Sequence, residues 1–319
     1  MRHRLYLVGY PLGHTLSPQI HNSYFAKMSL PLTYEKREVA PGRFAEEVKA
    51  LFAEPAFLGA NFTSPFKQQV VELVDGLEAD AAEIGAVNTV VRRTDGSIIG
   101  HNTDVGGFAA ALRVSGKERV RGAVVFGTGG AALAVICALG RLGCERFVVI
   151  HRSERNLSLV RKLVSSFGKR VRLVKLSHLS DFFSWAEREG VFGNRWGISC
   201  GGNDAMEAVS RGTGVCTDEP GNANSEGFDR GPKQYDLLVN ATPIGLHPRA
   251  EEAIADHPRF FHLFKTVADL VYNPVQTKLL FLAQLHGCDT VNGRLILEQQ
   301  AALSRDIWLR EFAAGVGAR

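Results

Sequence analysis

Cysteine is scarce and unpatterned. The five in 319 residues (Cys137, Cys144, Cys200, Cys216 and Cys288) form no CxxC pair and no metal-ligand spacing. Their odd number and apolar settings exclude a disulfide framework and a metal cluster, and point to reduced thiols in a cytoplasmic protein. Charge of one sign is lacking too: 37 Lys and Arg face 33 Asp and Glu, a net +4, and the basic residues scatter. A nucleic-acid binder clusters them on a stripe, so that partner is not expected. The slight excess suits an anionic small molecule. No hydrophobic run is long and unbroken. The uncharged stretch Ala123–Gly140 spans 18 residues, but Gly127, Gly129 and Gly130 divide it, so strand plus helix is expected rather than a membrane span. The basic N-terminus MRHRLYLVGYPLGH is interrupted by Gly9 and Pro11 too early for a signal peptide.

What is present is globular. Hydrophobic residues make up 45% and charged residues 22%, which excludes a disordered or collagenous chain, and the length predicts two domains. The 33 glycines, about one residue in ten, show no Gly-X-Y period, so they serve turns or ligand contacts.

The spacing predicts strands over Arg4–Tyr10, Leu32–Val39 and Gly59–Thr63, helices over Pro18–Met28 and Arg43–Phe52, and a hairpin around Asp95-Gly96. These make an α/β domain whose sheet is mostly parallel with an antiparallel edge. From Val105 the alternation is regular. Helices are predicted over Val105–Val114, Gly130–Leu142, Glu154–Ser166 and Gln276–His286. Strands are predicted over Ala123–Gly127, Arg146–His151, Val171–Leu176, Tyr235–Thr242 and Thr266–Tyr272. That rhythm builds a doubly wound parallel sheet. A long helix over Leu295–Phe312 returns to the first domain. Between them the pattern fails: residues 190–231 hold ten glycines in 42 positions, read as a surface insertion, helical at Ser180–Glu189 and mobile beyond.

Five stretches carry chemistry. Gly127-x-Gly129-x-x-Ala132 lies between a strand and a helix. There Gly127 permits a tight turn, Gly129 a close approach to pyrophosphate, and Ala132 helix–strand packing. At the end of the following strand, His151-Arg152-Ser153 offers a guanidinium suited to a 2′-phosphate instead of an acid suited to a ribose hydroxyl. NADP is therefore expected, with NAD left open by Glu154. The segment Gly59–Lys67 projects Thr63 and Lys67 from a strand end, where a lysine can donate a proton or neutralise an alkoxide, or simply be solvated. In Gly100–Gly107, Asp104 reads equally as an N-cap. In Gly9–Pro18, Thr15 and Ser17 flank a helix start suited to a carboxylate, or Ser17 merely caps it with Pro18 in the first turn.

Together these blocks resemble the shikimate dehydrogenase family. The match includes GYPLGHTLSPQIHN (Gly9–Asn22), GANFTSPFK (Gly59–Lys67), GAVNT (Gly85–Thr89) and GHNTDVGG (Gly100–Gly107). It continues through the glycine turn, NATPIG (Asn240–Gly245), ADLVYNPVQTKLL (Ala268–Leu280) and NGRLILEQQAA (Asn292–Ala302). The resemblance implies an N-terminal α/β substrate domain over 1–104, completed by a helix at 290–319. It also implies a Rossmann NADP-binding domain over 105–289 with an insertion at about 177–234, and a cleft between the two. It implies NADP-dependent, reversible reduction of 3-dehydroshikimate to shikimate, in aromatic amino acid biosynthesis. Lys67 and Asp104 become the catalytic pair. Thr15 and Ser17 hold the substrate carboxylate, and Thr63, Asn88, Tyr272 and Gln300 its ring substituents. Gly127, Gly129, Gly130 and Ala131 meet the pyrophosphate, His151, Arg152 and Ser153 the adenosine phosphate, and Thr242 and Gly293 the nicotinamide half. No metal and no macromolecular partner is implied; the chain is expected as a monomer or homodimer.

Three positions depart from the family pattern: Thr15 stands for serine, His151-Arg152-Ser153 for Asn-Arg-Thr, and Ile296 for methionine. Thr15 and Glu154 keep an NAD-dependent quinate or quinate/shikimate dehydrogenase as the alternative. A non-catalytic ligand sensor is a further one, which the presence of both Lys67 and Asp104 opposes.

Overall fold

The computed structural model describes residues 3–13, 15–176 and 235–317. The insertion at 177–234, with its helix expected at Ser180–Glu189, and Cys200 and Cys216 lie outside these. Two six-stranded sheets organise the described residues.

The first sheet has the order β2-β1-β3-β5-β6-β4. Its strands are β1 (His3–Gly9), β2 (Leu32–Glu38), β3 (Phe57–Phe62), β4 (Gly76–Leu77), β5 (Thr89–Arg92) and β6 (Ile98–His101). Strand β1 pairs parallel with β2 and β3, while β3–β5 and β5–β6 are antiparallel. The hairpin strands thus lie inside the sheet, and the edge is β4, parallel to β6. A two-residue strand has too few positions to show a period, which is why the edge was expected to be antiparallel. Helices α1 (Ser17–Lys27), α2 (Phe44–Ala53) and α3 (Ala79–Ile84) accompany this sheet. All six residues of β3 are buried, so both of its faces are covered, and the one polar side chain in it, Asn61, is buried too.

Helix α4 (Thr103–Val114) leads to the second sheet, ordered β12-β11-β10-β7-β8-β9 and wholly parallel. Its strands are β7 (Gly122–Phe126), β8 (Arg146–His151), β9 (Arg170–Lys175), β10 (Tyr235–Asn240), β11 (Phe264–Asp269) and β12 (Asp289–Val291). Helices α5 (Gly130–Arg141), α6 (Leu157–Ser166), α7 (Pro258–Phe261) and α8 (Lys278–Leu285) connect them. Numbered along the chain the order is 3-2-1-4-5-6, the doubly wound arrangement, and the order reverses between β7 and β10. The 18-residue uncharged stretch divides into β7 and α5 as its glycines require. No helix among the described residues is long and apolar enough to cross a membrane.

The final helix, α9 (Gly293–Gly317), packs Leu295 and Ile296 with the core of the second sheet and Trp308 and Phe312 with that of the first. Trp308 is fully buried and donates Nε1–H to the Val90 carbonyl at 2.9 Å. Gly59 makes room for it, because a Cβ there would lie 2.5 Å from the indole nitrogen. Gly107 of α4 likewise admits Gln300 of α9, whose Cβ would stand 2.5 Å from a Cβ at Gly107. These two contacts bind the last helix to the N-terminal sheet and set it along α4.

Candidate active site

Strand β3 delivers Lys67. After Phe62 the chain turns through Thr63-Ser64-Pro65, closed by Phe66 N–H on the Thr63 carbonyl at 2.9 Å. Phe66 is fully buried and stacks on Phe44 with ring centroids 4.2 Å apart, which anchors the turn and leaves the next side chain half-buried at the sheet end. Lys67 Nζ donates to Asp104 Oδ2 at 2.6 Å. Asp104 is in the first turn of α4 but does not cap it. Asn102 is the N-cap, accepting from Asp104 N–H at 3.2 Å, so the expected capping role passes to Asn102 and the Asp104 carboxylate is released. Its other oxygen, Oδ1, accepts from Asn88 Nδ2 at 2.8 Å.

Asn88 is 2% exposed and joins several segments. Its Oδ1 accepts from Thr103 N–H at 2.8 Å and its Nδ2 reaches Gln300 Oε1 at 3.3 Å. Below it lie groups that the motifs did not single out. Asn61 Nδ2, with two N–H groups, has the Asn88 carbonyl, Thr89 Oγ1 and Ser304 Oγ within hydrogen-bond distance, and its Oδ1 accepts from Tyr34 OH at 2.8 Å. Polar residues of β3, β5, α4 and α9 are buried together here, a pattern visible in sequence only once those elements are known to meet.

Thr15 and Ser17 are adjacent, with Oγ1 donating to Oγ at 3.3 Å. Ser17 is the first residue of α1 rather than its cap. Leu16 takes the cap position without a side-chain bond, so the serine hydroxyl stays available. Burial raises the Tyr272 phenol above its ordinary pKa and a hydrogen bond with Thr15 opposes the rise. Tyr34, whose phenol is raised well above the ordinary value by burial, shares a hydrogen bond with Ser17. Thr63 packs its methyl on Gly9, joining the two loops. Thr15, Ser17 and Tyr272 are thus linked through Tyr34 and Asn61 to Asn88, Gln300, Asp104 and Lys67, while Thr63 packs on the neighbouring Gly9 loop.

The second sheet meets this set at its glycine turn. Gly127 has φ +113°, a conformation that L side chains rarely adopt, and packs under the Ala241 carbonyl. A Cβ on Gly129 would meet nothing within 4 Å, leaving the backbone open to a ligand, and Gly129 precedes the N-terminus of α5. Gly130 faces Lys67, with its Cβ position 3.9 Å from the lysine Cβ and Cδ. Ala131 follows it in the first turn. Backbone N–H groups and the positive end of α5 thus lie beside the Lys67–Asp104 pair.

The remaining positions divide. Arg152 and Ser153 are exposed, whereas His151 is only 7% exposed and its Nδ1 lies 3.0 Å from the Ser153 carbonyl, shaping the turn. Glu154 pairs with Lys175 at 3.0 Å and lies before α6, which begins at Leu157 rather than at the glutamate. Thr242 is held by Asn240, whose Oδ1 accepts its hydroxyl at 2.6 Å and its N–H at 3.1 Å. Gly293 starts α9 and lies against the Val271 carbonyl, where any Cβ would collide.

Comparison with known proteins matches the chain to shikimate dehydrogenases. A family model of the shikimate dehydrogenase substrate binding domain matches residues 7–90. The chain is 33% identical over 310 residues to the shikimate dehydrogenase (NADP(+)) of Methanopyrus kandleri, covering 96% of this chain and 90% of that protein. The crystal structure of shikimate 5-dehydrogenase from Thermus thermophilus, in complex with NADP(H) and shikimate, matches with a TM-score of 0.68 at 26% identity, over 96% of this chain and 93% of that one. The shikimate 5-dehydrogenase of Listeria monocytogenes, in complex with shikimate and NAD, matches with a TM-score of 0.72 at 25% identity, over 97% and 92%.

Proposed function

Because this chain belongs to the shikimate dehydrogenase family, we propose that it catalyses the NADP-dependent, reversible reduction of 3-dehydroshikimate to shikimate. The observation that carries this reading is the Lys67–Asp104 pair, 2.6 Å apart and facing the glycine turn at Gly130.

The dinucleotide fits the residues present. Gly127, Gly129, Gly130 and Ala131 leave an open helix N-terminus for a pyrophosphate. Arg152 and Ser153 are exposed at the end of β8, where a 2′-phosphate is read. Glu154, the one acid that could favour a ribose hydroxyl, is turned onto Lys175. Thr242 and Gly293 border the nicotinamide half. Bound NADPH supplies the hydride.

The chain's own residues manage the proton. A carbonyl oxygen becomes negative as its carbon accepts hydride. Lys67 Nζ has three donors, of which one is committed to Asp104, so two remain to bond that oxygen and deliver a proton. Asp104 aims the ammonium and is itself held by Asn88, which stops the carboxylate from swinging away. In the reverse direction the same amine takes the hydroxyl proton. Thr15 and Ser17 bind the substrate carboxylate, while Thr63, Asn88, Tyr272 and Gln300 bind the ring hydroxyls. Residues 1–104 with 290–319 form the substrate unit and 105–289 the NADP unit. All of these groups come from one chain, so a monomer suffices for the chemistry and a homodimer is compatible with it. The buried thiols of Cys137, Cys144 and Cys288 support a reducing, cytoplasmic setting.

Initial rates with shikimate and quinate, each with NADP and NAD, test the reading. Dominant turnover of shikimate with NADP is expected. Dominant turnover of quinate with NAD overturns it, and ligand binding without any turnover supports a sensor instead.

A further inference from the structure

Asp269 ends β11 and is fully buried. The run that carries it, Thr266–Tyr272, has no other charged residue. Three neutral donors converge on its carboxylate. Asn240 Nδ2 donates to Oδ1 at 2.9 Å, Val271 N–H to Oδ1 at 3.0 Å, and Thr277 Oγ1 to Oδ2 at 2.7 Å. Burying a carboxylate among neutral groups is expensive, so an apolar residue would fill this strand end at lower cost. An apolar residue cannot, however, hold three donors at once.

Each donor belongs to a different segment. Asn240 closes β10, and its Oδ1 accepts both the N–H and the hydroxyl of Thr242, while its Nδ2 also reaches the Ile244 carbonyl at 3.1 Å. Val271 immediately precedes Tyr272, and its carbonyl lies against Gly293. Thr277 is the N-cap of α8, accepting from Leu280 N–H at 3.3 Å.

We propose that Asp269 is a positioning residue that fixes both walls of the cleft: Thr242 through Asn240, and Tyr272 through Val271. It acts through these neighbours and touches neither ligand. Resting on the function proposed above, the inference adds that the nicotinamide wall and the substrate wall share one anchor.

The test compares Asp269→Ala with Asp269→Asn. An asparagine oxygen in place of Oδ1 keeps Asn240 and Val271, and its NH2 in place of Oδ2 can donate to Thr277, so only one bond reverses. Asp269→Ala loses all three. In the ligand-free protein, amide hydrogen exchange should quicken in 241–245 and 271–277 together for Asp269→Ala and stay near the parent rate for Asp269→Asn. With ligands, Asp269→Ala should raise KM for both NADP and shikimate by about tenfold or more, the scale of a lost hydrogen bond to a charged group, and Asp269→Asn should rescue both. Exchange confined to 270–277, an unchanged KM for either ligand, or an asparagine variant as impaired as alanine overturns the proposal. Should Asp269→Ala fail to fold, Asn240→Ala removes the link to Thr242 while leaving the Val271 and Thr277 bonds to Asp269 in place, and it should raise KM for NADP more than KM for shikimate; equal shifts, or none, overturn it. The exchange measurement needs no turnover. A parent chain inactive on shikimate therefore counts against the function, while unchanged exchange counts against the anchor.

Discussion

Asp104 divides its two oxygens between Lys67 and Asn88, at 2.6 Å and 2.8 Å, so one carboxylate both aims the ammonium and is itself held in place. In Asp104→Asn an NH2 group must face either the Lys67 ammonium or the Asn88 NH2, donor against donor. The expected result is a fall in kcat of about 10²-fold or more, the scale of acid–base contributions, with a folded protein by circular dichroism. Near-parent kcat would show that the pairing is incidental.

The exposed Arg152 predicts cofactor choice. Arg152→Ala should raise KM for NADP by about 10- to 100-fold, the equivalent of a charge-assisted hydrogen bond of roughly 1.5–3 kcal/mol, and leave KM for NAD nearly unchanged. Equal effects on the two dinucleotides would place the arginine away from the 2′-phosphate.

Gly107 tests the α4–α9 contact. Gly107→Ala places a Cβ 2.5 Å from Gln300 Cβ, so overpacking should cost about 1–3 kcal/mol in denaturant unfolding and displace Gln300. KM for shikimate should rise more than KM for NADP. Unchanged stability would mean that α9 shifts freely along α4.

His21 predicts an acid liability. It is fully buried against Tyr34, ring centroids 4.3 Å apart, and neither ring nitrogen has a hydrogen-bond partner among the described residues. Burial, with the nearby Arg305 cation, lowers its pKa to about 3. A histidine depressed in the folded state is protonated first in the unfolded chain, so stability falls as pH drops from about 6.5 toward about 3. Asp269 works in the opposite sense. Burial raises it to about 6 against the bonds from Thr277, Val271 and Asn240, so its contribution grows as pH falls through that value. The difference between His21→Phe and the parent isolates the first effect. The variant should gain about 3 kcal/mol relative to the parent between about pH 7 and about pH 4, read by urea unfolding. A pH-independent difference would contradict the buried neutral ring.

Much of the fold was legible in the sequence because long elements with clear periods dominate it: the alternation after Val105 gave the doubly wound order, and the glycines of 127–130 marked the turn. Elements too short to carry a period were not legible, namely β4, β12 and α3. The resemblance paired Lys67 with Asp104, but spacing alone did not, because their meeting depends on which of Asn102 and Asp104 caps α4. Both can do so, and only the turn geometry decides. Asn61 and Asp269 lie inside matched blocks but drew no role there, and Ser304 lies just beyond the last block. For Asp269 a signal existed, a lone carboxylate in the apolar run Thr266–Tyr272, and burial gives that signal its meaning.

The role of Lys67 is tested most directly by steady-state kinetics of Lys67→Ala with shikimate and NADP varied in turn. Its bonds to the reacting oxygen strengthen as charge develops, so kcat should fall by about 10²-fold or more while both KM values change only a few-fold. A variant that keeps kcat and loses only affinity for shikimate would contradict the account, because Lys67 would then bind the substrate without acting on its proton.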